Sequence, residues 1–331
     1  MLRFFASMAP HLERFAAHEI RLHGGVVLET QKTRVEFTVP SLSVLYRVCL
    51  WSRVLFRVYR PVAVFPCADE EQLYQGVLGR VRWAEHFAPG TPFAVDATGV
   101  LGHDSLTNPH FVALRVKDAI VDQQRRDGFE RSPVDIRGAS ARVNVFVNEN
   151  KCRISVDMSG ADSLHRRGYR EPSSNGNGAA AAAAAAGDDS APLKESTAAG
   201  LLVYSGWPTY MDEMALLDPL CGSGTIPVEA ASVLLDRAPG LGRRTSTYGF
   251  MHQGDYDGKA WRGLLAEAEE RFSAAKAAQK GRPVRVFGSD ISPEAIRRAK
   301  KGADVAGLAD YIEFKLCDVA AVQRPPAFDR G

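Results

Sequence analysis

The chain has 331 residues, 45% of them hydrophobic and 24% charged, which is the composition of a soluble globular protein with room for two or three domains. A net charge of +2 gives no bulk argument for a polyanionic partner, so a nucleic-acid reading must rest on local clusters. The five cysteines (Cys49, Cys67, Cys152, Cys221, Cys317) form no CxxC pair and no zinc spacing, so no metal ligand set is expected. They read as small hydrophobes in a reducing, cytoplasmic setting, and no run reaches membrane-span length.

The start, MLRFFASMAPHLERFAAHEI, lacks the layout of a secretory signal and reads as a strand followed by a helix. Leu12, Phe15, Ala16 and Ile20 recur at helical spacing, and Gly24-Gly25 ends the element. Extended runs follow at VVLET and RVEFTV. Ser41 is placed to cap a second helix, VLFRVYRPVAVF returns to strand, and EQLYQGVLGRV spaces Leu73, Val77 and Val81 as a helix. The alternation predicts a small α+β domain. Asn108-Pro109 then opens a helix with Val112, Val116, Ala119 and Ile120 on one face. Arg115, Lys117, Arg125 and Arg126 fall largely elsewhere. RVNVFVN and CRISVDM predict a hairpin around Glu149-Asn150. The segment SSNGNGAAAAAAAAGDDS holds eight alanines fenced by glycines. Isolated helices under about 12 residues are marginal, so it reads as a flexible insertion.

LLDPLCGSGTIPVEAASVLL carries the strongest chemical signal. A strand end (Leu216, Leu217) runs into Asp218, a glycine-rich turn and a helix, which is the layout of a nucleotide-type cofactor site. No GK[ST] follows, and CGSGT is not GxGxxG, so triphosphate and dinucleotide readings fit poorly. A cofactor joining an amino acid to a nucleoside fits better. Asp218 would face an ammonium group, and the N–H groups at the helix start would receive a carboxylate. Asp290 ends RVFGSD, where it suits a ribose diol, and Asp318 follows YIEFKLC, where it suits an adenine amino group. One such acid is more often a cap or turn residue. Three at successive strand ends favour a ligand.

DPLCGSGT resembles the first motif of the amino-group methyltransferases that modify nucleic-acid bases. NPHFVALRVKDAIVDQQR and SGADSLHRRGYR resemble a THUMP domain and its exit. With APLKESTAAGLL, the chain resembles the THUMP-containing guanine-N2 RNA methyltransferases of the bacterial large-subunit ribosomal RNA type. The resemblance implies an α/β fold: a ferredoxin-like α+β region (1–70), a THUMP domain (71–160), a linker holding the insertion (161–196) and a partial Rossmann-like class I methyltransferase domain (197–331). It implies S-adenosyl-L-methionine as cofactor, with Asp218, Cys221, Gly222, Gly224 and Thr225 in the first motif, Asp290 and Ile291 in the second, and Asp318 in the third. Lys194 falls in the segment that packs over the methionine end of the donor. Glu229 reads equally as a site residue or as a charge favourable in the first half of a helix.

The family's Asn-Pro-Pro-Tyr-type motif, which holds the target base, finds no match; Pro325-Pro326 lacks the flanking residues. No catalytic residue is therefore nominated. The expectation is a fragment or a domain completed by a second chain, with Leu216, Leu217, Val286 and Phe287 short of cover and no methylation by residues 1–331 alone. For RNA, Arg166, Arg167, Tyr169 and Arg170 of HRRGYR form a basic-aromatic cluster at the hairpin exit, with Arg115 and Lys117 added from the THUMP-like helix. Structured RNA is the expected partner, ribosomal first and transfer RNA second, and no membrane. A non-catalytic RNA-binding protein is the rival from another class.

Overall fold

The computed structural model describes residues 1–101, 106–135, 138–170, 193–243 and 248–324. The alanine-rich insertion and Pro325-Pro326 lie outside the described residues. Alternating apolar side chains build the first sheet. Strand β1 (Leu2–Met8) buries Phe4, Ala6 and Met8, and β3 (Arg34–Val39) buries Val35, Phe37 and Val39. Between them lie helix α1 (Glu13–Leu22), which buries Ala16 and Ile20 as its spacing predicts, and β2 (Val26–Gln31). Ser41 does stand at the start of α2 (Leu42–Trp51), but makes no capping bond; its hydroxyl meets that of Ser43 at 2.7 Å.

Strand β4 (Leu55–Pro66) is 12 residues long and serves two partners. Its first half pairs antiparallel with β1, from Leu55 against Met8 to Tyr59 against Phe5. From Tyr59 to Pro66 it pairs with β7 (Lys151–Asp157). The register shifts between Pro61 and Ala63, where proline has no N–H to give the ladder. The result is one seven-stranded sheet, ordered β2-β3-β1-β4-β7-β6-β5, that runs unbroken through the expected boundary at residue 70. Helices α3 (Glu70–Arg80) and α4 (Pro109–Arg126) cover its second half, and α4 crosses between parallel β5 (Phe93–Leu101) and β6 (Ala141–Asn148). Asn108 accepts the His110 N–H at 2.9 Å, so its cap forms. The β6–β7 hairpin turns on Glu149 (φ 48°) and Asn150 (φ 57°), the two positive φ values that a tight type I′ turn needs.

The carboxyl-terminal part is Rossmann-like: parallel strands β8 (Leu216–Asp218), β9 (Val286–Asp290) and β10 (Ile312–Leu316) lie in the order β10-β9-β8. Helices α5 (Glu195–Tyr204), α6 (Trp207–Tyr210), α7 (Thr225–Leu234), α8 (Gly258–Gln279) and α9 (Pro293–Val305) accompany them. Val286 and Phe287 are buried, contrary to the expectation of missing cover, while Leu217 is 38% exposed. No helix among the described residues is long and apolar enough to cross a membrane.

The two halves share a core. Tyr46 of α2 stacks on Phe250 at 4.4 Å, Phe250 meets Trp261 edge-on at 5.2 Å, and Arg47 forks onto Glu267 through two 2.6 Å bonds. A buried polar network lies beside this seam. The Arg53 guanidinium, two residues before β4, donates to the Ser232 hydroxyl (3.1 Å) and the Arg237 carbonyl (2.8 Å). Burial, aided by the neighbouring Arg167 charge, pulls Arg53 down to about 10.

Here the expected RNA cluster is corrected. Arg167 is 1% exposed, ion-paired with Glu229 of α7 at 2.9 Å, and donates to the Arg53 carbonyl. The Tyr169 hydroxyl is buried and donates to the same carboxylate at 3.0 Å. Neither can reach RNA: Glu229 lies on an otherwise sealed helix face and needs both donors. Removing one partner of a buried ion pair leaves the other uncompensated. Arg167→Met should therefore destabilise the carboxyl-terminal half by about 3–5 kcal/mol in urea unfolding. An unchanged midpoint would mean that Arg167 is solvated.

Candidate cofactor site at the ends of the parallel strands

Strand β8 ends at Asp218, and the chain turns through Cys221 to Gly224 before α7 begins. Gly222 (φ 52°) and Gly224 (φ 77°) occupy the left-handed region that glycine enters without strain. Their surroundings differ. A Cβ on Gly224 would lie 2.8 Å from the Ala299 Cβ and 3.1 Å from the Phe314 ring, so this glycine seats the loop on α9 and β10. A Cβ on Gly222 would meet nothing within 4 Å. That side of the loop is open to a ligand. No side chain caps the start of α7, so its first N–H groups remain available to an anion.

Asp290 closes the loop from the neighbouring strand. One carboxylate oxygen accepts the Gly222 N–H at 2.9 Å, and the other accepts the Ser292 N–H at 2.9 Å. Each oxygen keeps a lone pair for a further donor. Asp218 accepts the Leu220 N–H at 3.2 Å. Burial pushes its carboxyl above the usual aspartate range; the Leu220 bond opposes this and the Asp290 charge adds to it. The same two acids, after burial, push the Cys221 thiol up to about 12. It stays protonated at neutral pH and is no nucleophile. Cys221 instead anchors the loop, its N–H donating to the Ser289 carbonyl at 2.8 Å.

The other nominated residues separate into near and far. Ile291, 67% exposed, offers apolar surface just past Asp290. Asp318 is exposed and accepts the Ala320 N–H at 2.9 Å, so it is engaged as a local turn cap. Lys194 precedes α5, exposed, with its ammonium 5.1 Å from the Phe56 ring. Thr225 is buried and receives a bond from Arg170. Arg170 also donates to the Leu193 carbonyl at 3.0 Å and lies 3.8 Å from Glu195. This joins the PLKE segment to the glycine-loop helix, a link that sequence reasoning missed because three separate stretches make it. Arg115 stands 3.5 Å from Glu71, and Lys117 lies 2.8 Å from Asp118. Both lie half-buried on α4, Arg115 reaching across to α3, and Arg166 is 53% exposed. No group of three metal-ligating side chains occurs among the described residues.

The contrast between the glycines is testable. Gly224→Ala should lower the melting temperature by several degrees, since the φ alone costs about 1–3 kcal/mol before the Ala299 clash. Gly222→Ala should cost less stability but put a methyl group into the cradle. Equal thermal losses in the two variants would show that the Gly222 side is packed after all.

Residues 3–59 match the RlmL ferredoxin-like domain, residues 67–157 the THUMP domain and residues 186–330 the RMKL-like methyltransferase domain. The chain is 38% identical over 98% of its length to the ribosomal RNA large subunit methyltransferase K/L of Syntrophotalea carbinolica. It is 37% identical over 99% to that of Shewanella baltica. It spans 42% of the length of each. Among solved structures it is similar to a predicted N6-adenine-specific DNA methylase of Listeria monocytogenes, with a TM-score of 0.76 and 28% identity, covering 98% of this chain and 76% of that one. It shares its fold with the methyltransferase SMU.472, solved with SAH, at a TM-score of 0.77 and 24% identity, covering 98% of this chain and 77% of that one. In its three parts, the chain is similar in order to the RlmL ferredoxin-like, THUMP and RMKL-like methyltransferase domain families.

Proposed function

We propose that this chain is the RNA-capturing and methyl-donor-binding part of an S-adenosylmethionine-dependent RNA methyltransferase, acting on N2 of a guanine in large-subunit ribosomal RNA. The single observation that carries the donor reading is the open Gly222 flank between two strand-end carboxylates. Bound there, S-adenosylmethionine supplies an electrophilic methyl group on its sulfonium. Asp218 would face the donor's ammonium, and Asp290 would accept from the ribose hydroxyls while holding the Gly222 N–H. The first turn of α7 would receive the carboxylate, Ile291 would cover one adenine face, and Asp318 would accept from the adenine amino group. The ribosomal substrate is supported by the relatives' names and by the THUMP match. Arg166 is the member of the exit cluster with most side-chain exposure for phosphate, and Arg115 and Lys117 would bind after exchanging their acid partners.

Asp218→Ala and Asp290→Ala should each weaken the donor or its demethylated product by about 1.5–3 kcal/mol, the worth of hydrogen bonds to a charged group. The pH dependence has a definite sign. An ammonium favours the ionised carboxylate, whereas the free protein holds Asp218 above its usual range. Affinity should therefore fall as pH drops, beginning above the ordinary aspartate range, and Asp218→Asn should be weak and flat across that window. Calorimetry that finds both alanine variants unaltered would remove the pocket assignment. For RNA, Arg166→Ala should flatten the slope of log affinity against log salt by about 0.7–0.9 if it contributes one phosphate contact. An identical slope in filter binding would place Arg166 outside the RNA footprint.

A further inference from the structure

The cradle described above presents acid on one side, and its loop, residues 218–224, contains no cationic residue. A donor with an amino-acid head carries both signs on one carbon, so its carboxylate must sit within bonding distance of its ammonium. Beside Asp218 and Asp290, that carboxylate needs a positive neighbour to avoid repulsion. Helix α7 contributes a partial positive charge through its first N–H groups. A full charge is supplied at the same helix turn by Arg170.

Three observations converge on that guanidinium. It donates to the hydroxyl of Thr225, the first residue of α7. It donates to the Leu193 carbonyl and lies 3.8 Å from Glu195, so it is fixed at the junction of the exit segment, α5 and the glycine loop. Its Nε–H has no partner among the described residues. Glu195 at 3.8 Å is too distant for a hydrogen bond, and burial pushes its carboxyl above the usual range. Arg170 is thus held in place without being fully satisfied.

We propose that Arg170 is the counter-ion of the methyl donor's carboxylate, and not an RNA-backbone contact. The assignment rests on the donor reading of the cradle. A planar guanidinium suits this place because it can keep the Thr225 and Leu193 bonds on one edge while offering N–H groups to a carboxylate on another. Lysine, a point charge, would keep the sign and lose the bridge.

Two ligands separate the possibilities. S-adenosylhomocysteine carries the carboxylate, and 5′-methylthioadenosine keeps the nucleoside and thioether without the amino-acid head. In calorimetry on the full chain, Arg170→Ala should weaken S-adenosylhomocysteine by roughly 10- to 100-fold, the scale of a charged hydrogen bond. Its effect on methylthioadenosine should stay within about twofold, and Arg170→Lys should restore part of the loss. Circular dichroism melting confirms that each variant is folded. Equal losses on both ligands would overturn the proposal and leave Arg170 as a brace for the loop. Unchanged binding of both would place its charge outside the site. If the unaltered chain binds neither ligand, the donor pocket itself is refuted, and this assignment falls with it.

Discussion

The buried contact between Arg167 and Glu229 is the constraint around which the two halves of this chain are arranged. Both side chains are 1% exposed, and the pair spans the exit from the THUMP hairpin and the helix that follows the glycine loop. An ion pair in that setting tolerates little displacement, because separating the charges returns each to an uncompensated low-dielectric site. Arg53 extends the constraint by bonding across the seam to Ser232 and Arg237, on and just past the same helix. The seven-stranded sheet is thereby tied to the strands that end in Asp218 and Asp290.

The exit segment is laid along α7 with matched spacing. Arg167 meets Glu229, and Arg170, three residues on, meets Thr225, one helical turn back. Between them Gly168 (φ 83°) passes so close to Gly242 that a Cβ would stand 1.9 Å from its carbonyl oxygen. Any side chain there would push the segment off the helix. HRRGYR is therefore a docking sequence: the glycine permits the approach, and the flanking arginine and tyrosine both reach one carboxylate.

How much of this could be read from sequence depended on the range of the interaction. Strand alternation, the Asn108 cap and the Glu149-Asn150 turn are settled within a few residues, and those elements formed where periodicity placed them. The glycine loop was legible for the same reason, since turn geometry and chemistry reside in one short stretch. The shared strand β4 was not, because a 12-residue run looks alike with one partner or two. The arginine cluster misled for a related reason. A basic hexapeptide has the same sequence whether it faces phosphate or a glutamate 60 positions away, and Glu229 read equally as a site residue or a helix charge. Burial, which decides between those readings, is a property of the tertiary fold.

That difference also separates structural charge from functional charge in this protein. The Arg167–Glu229 site is buried, and opposite signs meet there at 2.9 Å. The cradle is open. Burial pushes Asp218 up, the Asp290 charge adds to it, and the flank at Gly222 faces open space. Burial alone leaves the Asp218 carboxylate less stable than it would be in water. In the proposed donor reading, an ammonium beside Asp218 would relieve that cost on binding. The same reasoning orders the chain's other charges. Lys117 and Arg115 are paired with the acids Asp118 and Glu71, whereas Arg170 sits between a hydroxyl, a carbonyl and a distant glutamate. Arg170 holds that place at the first residue of the helix that follows the glycine loop.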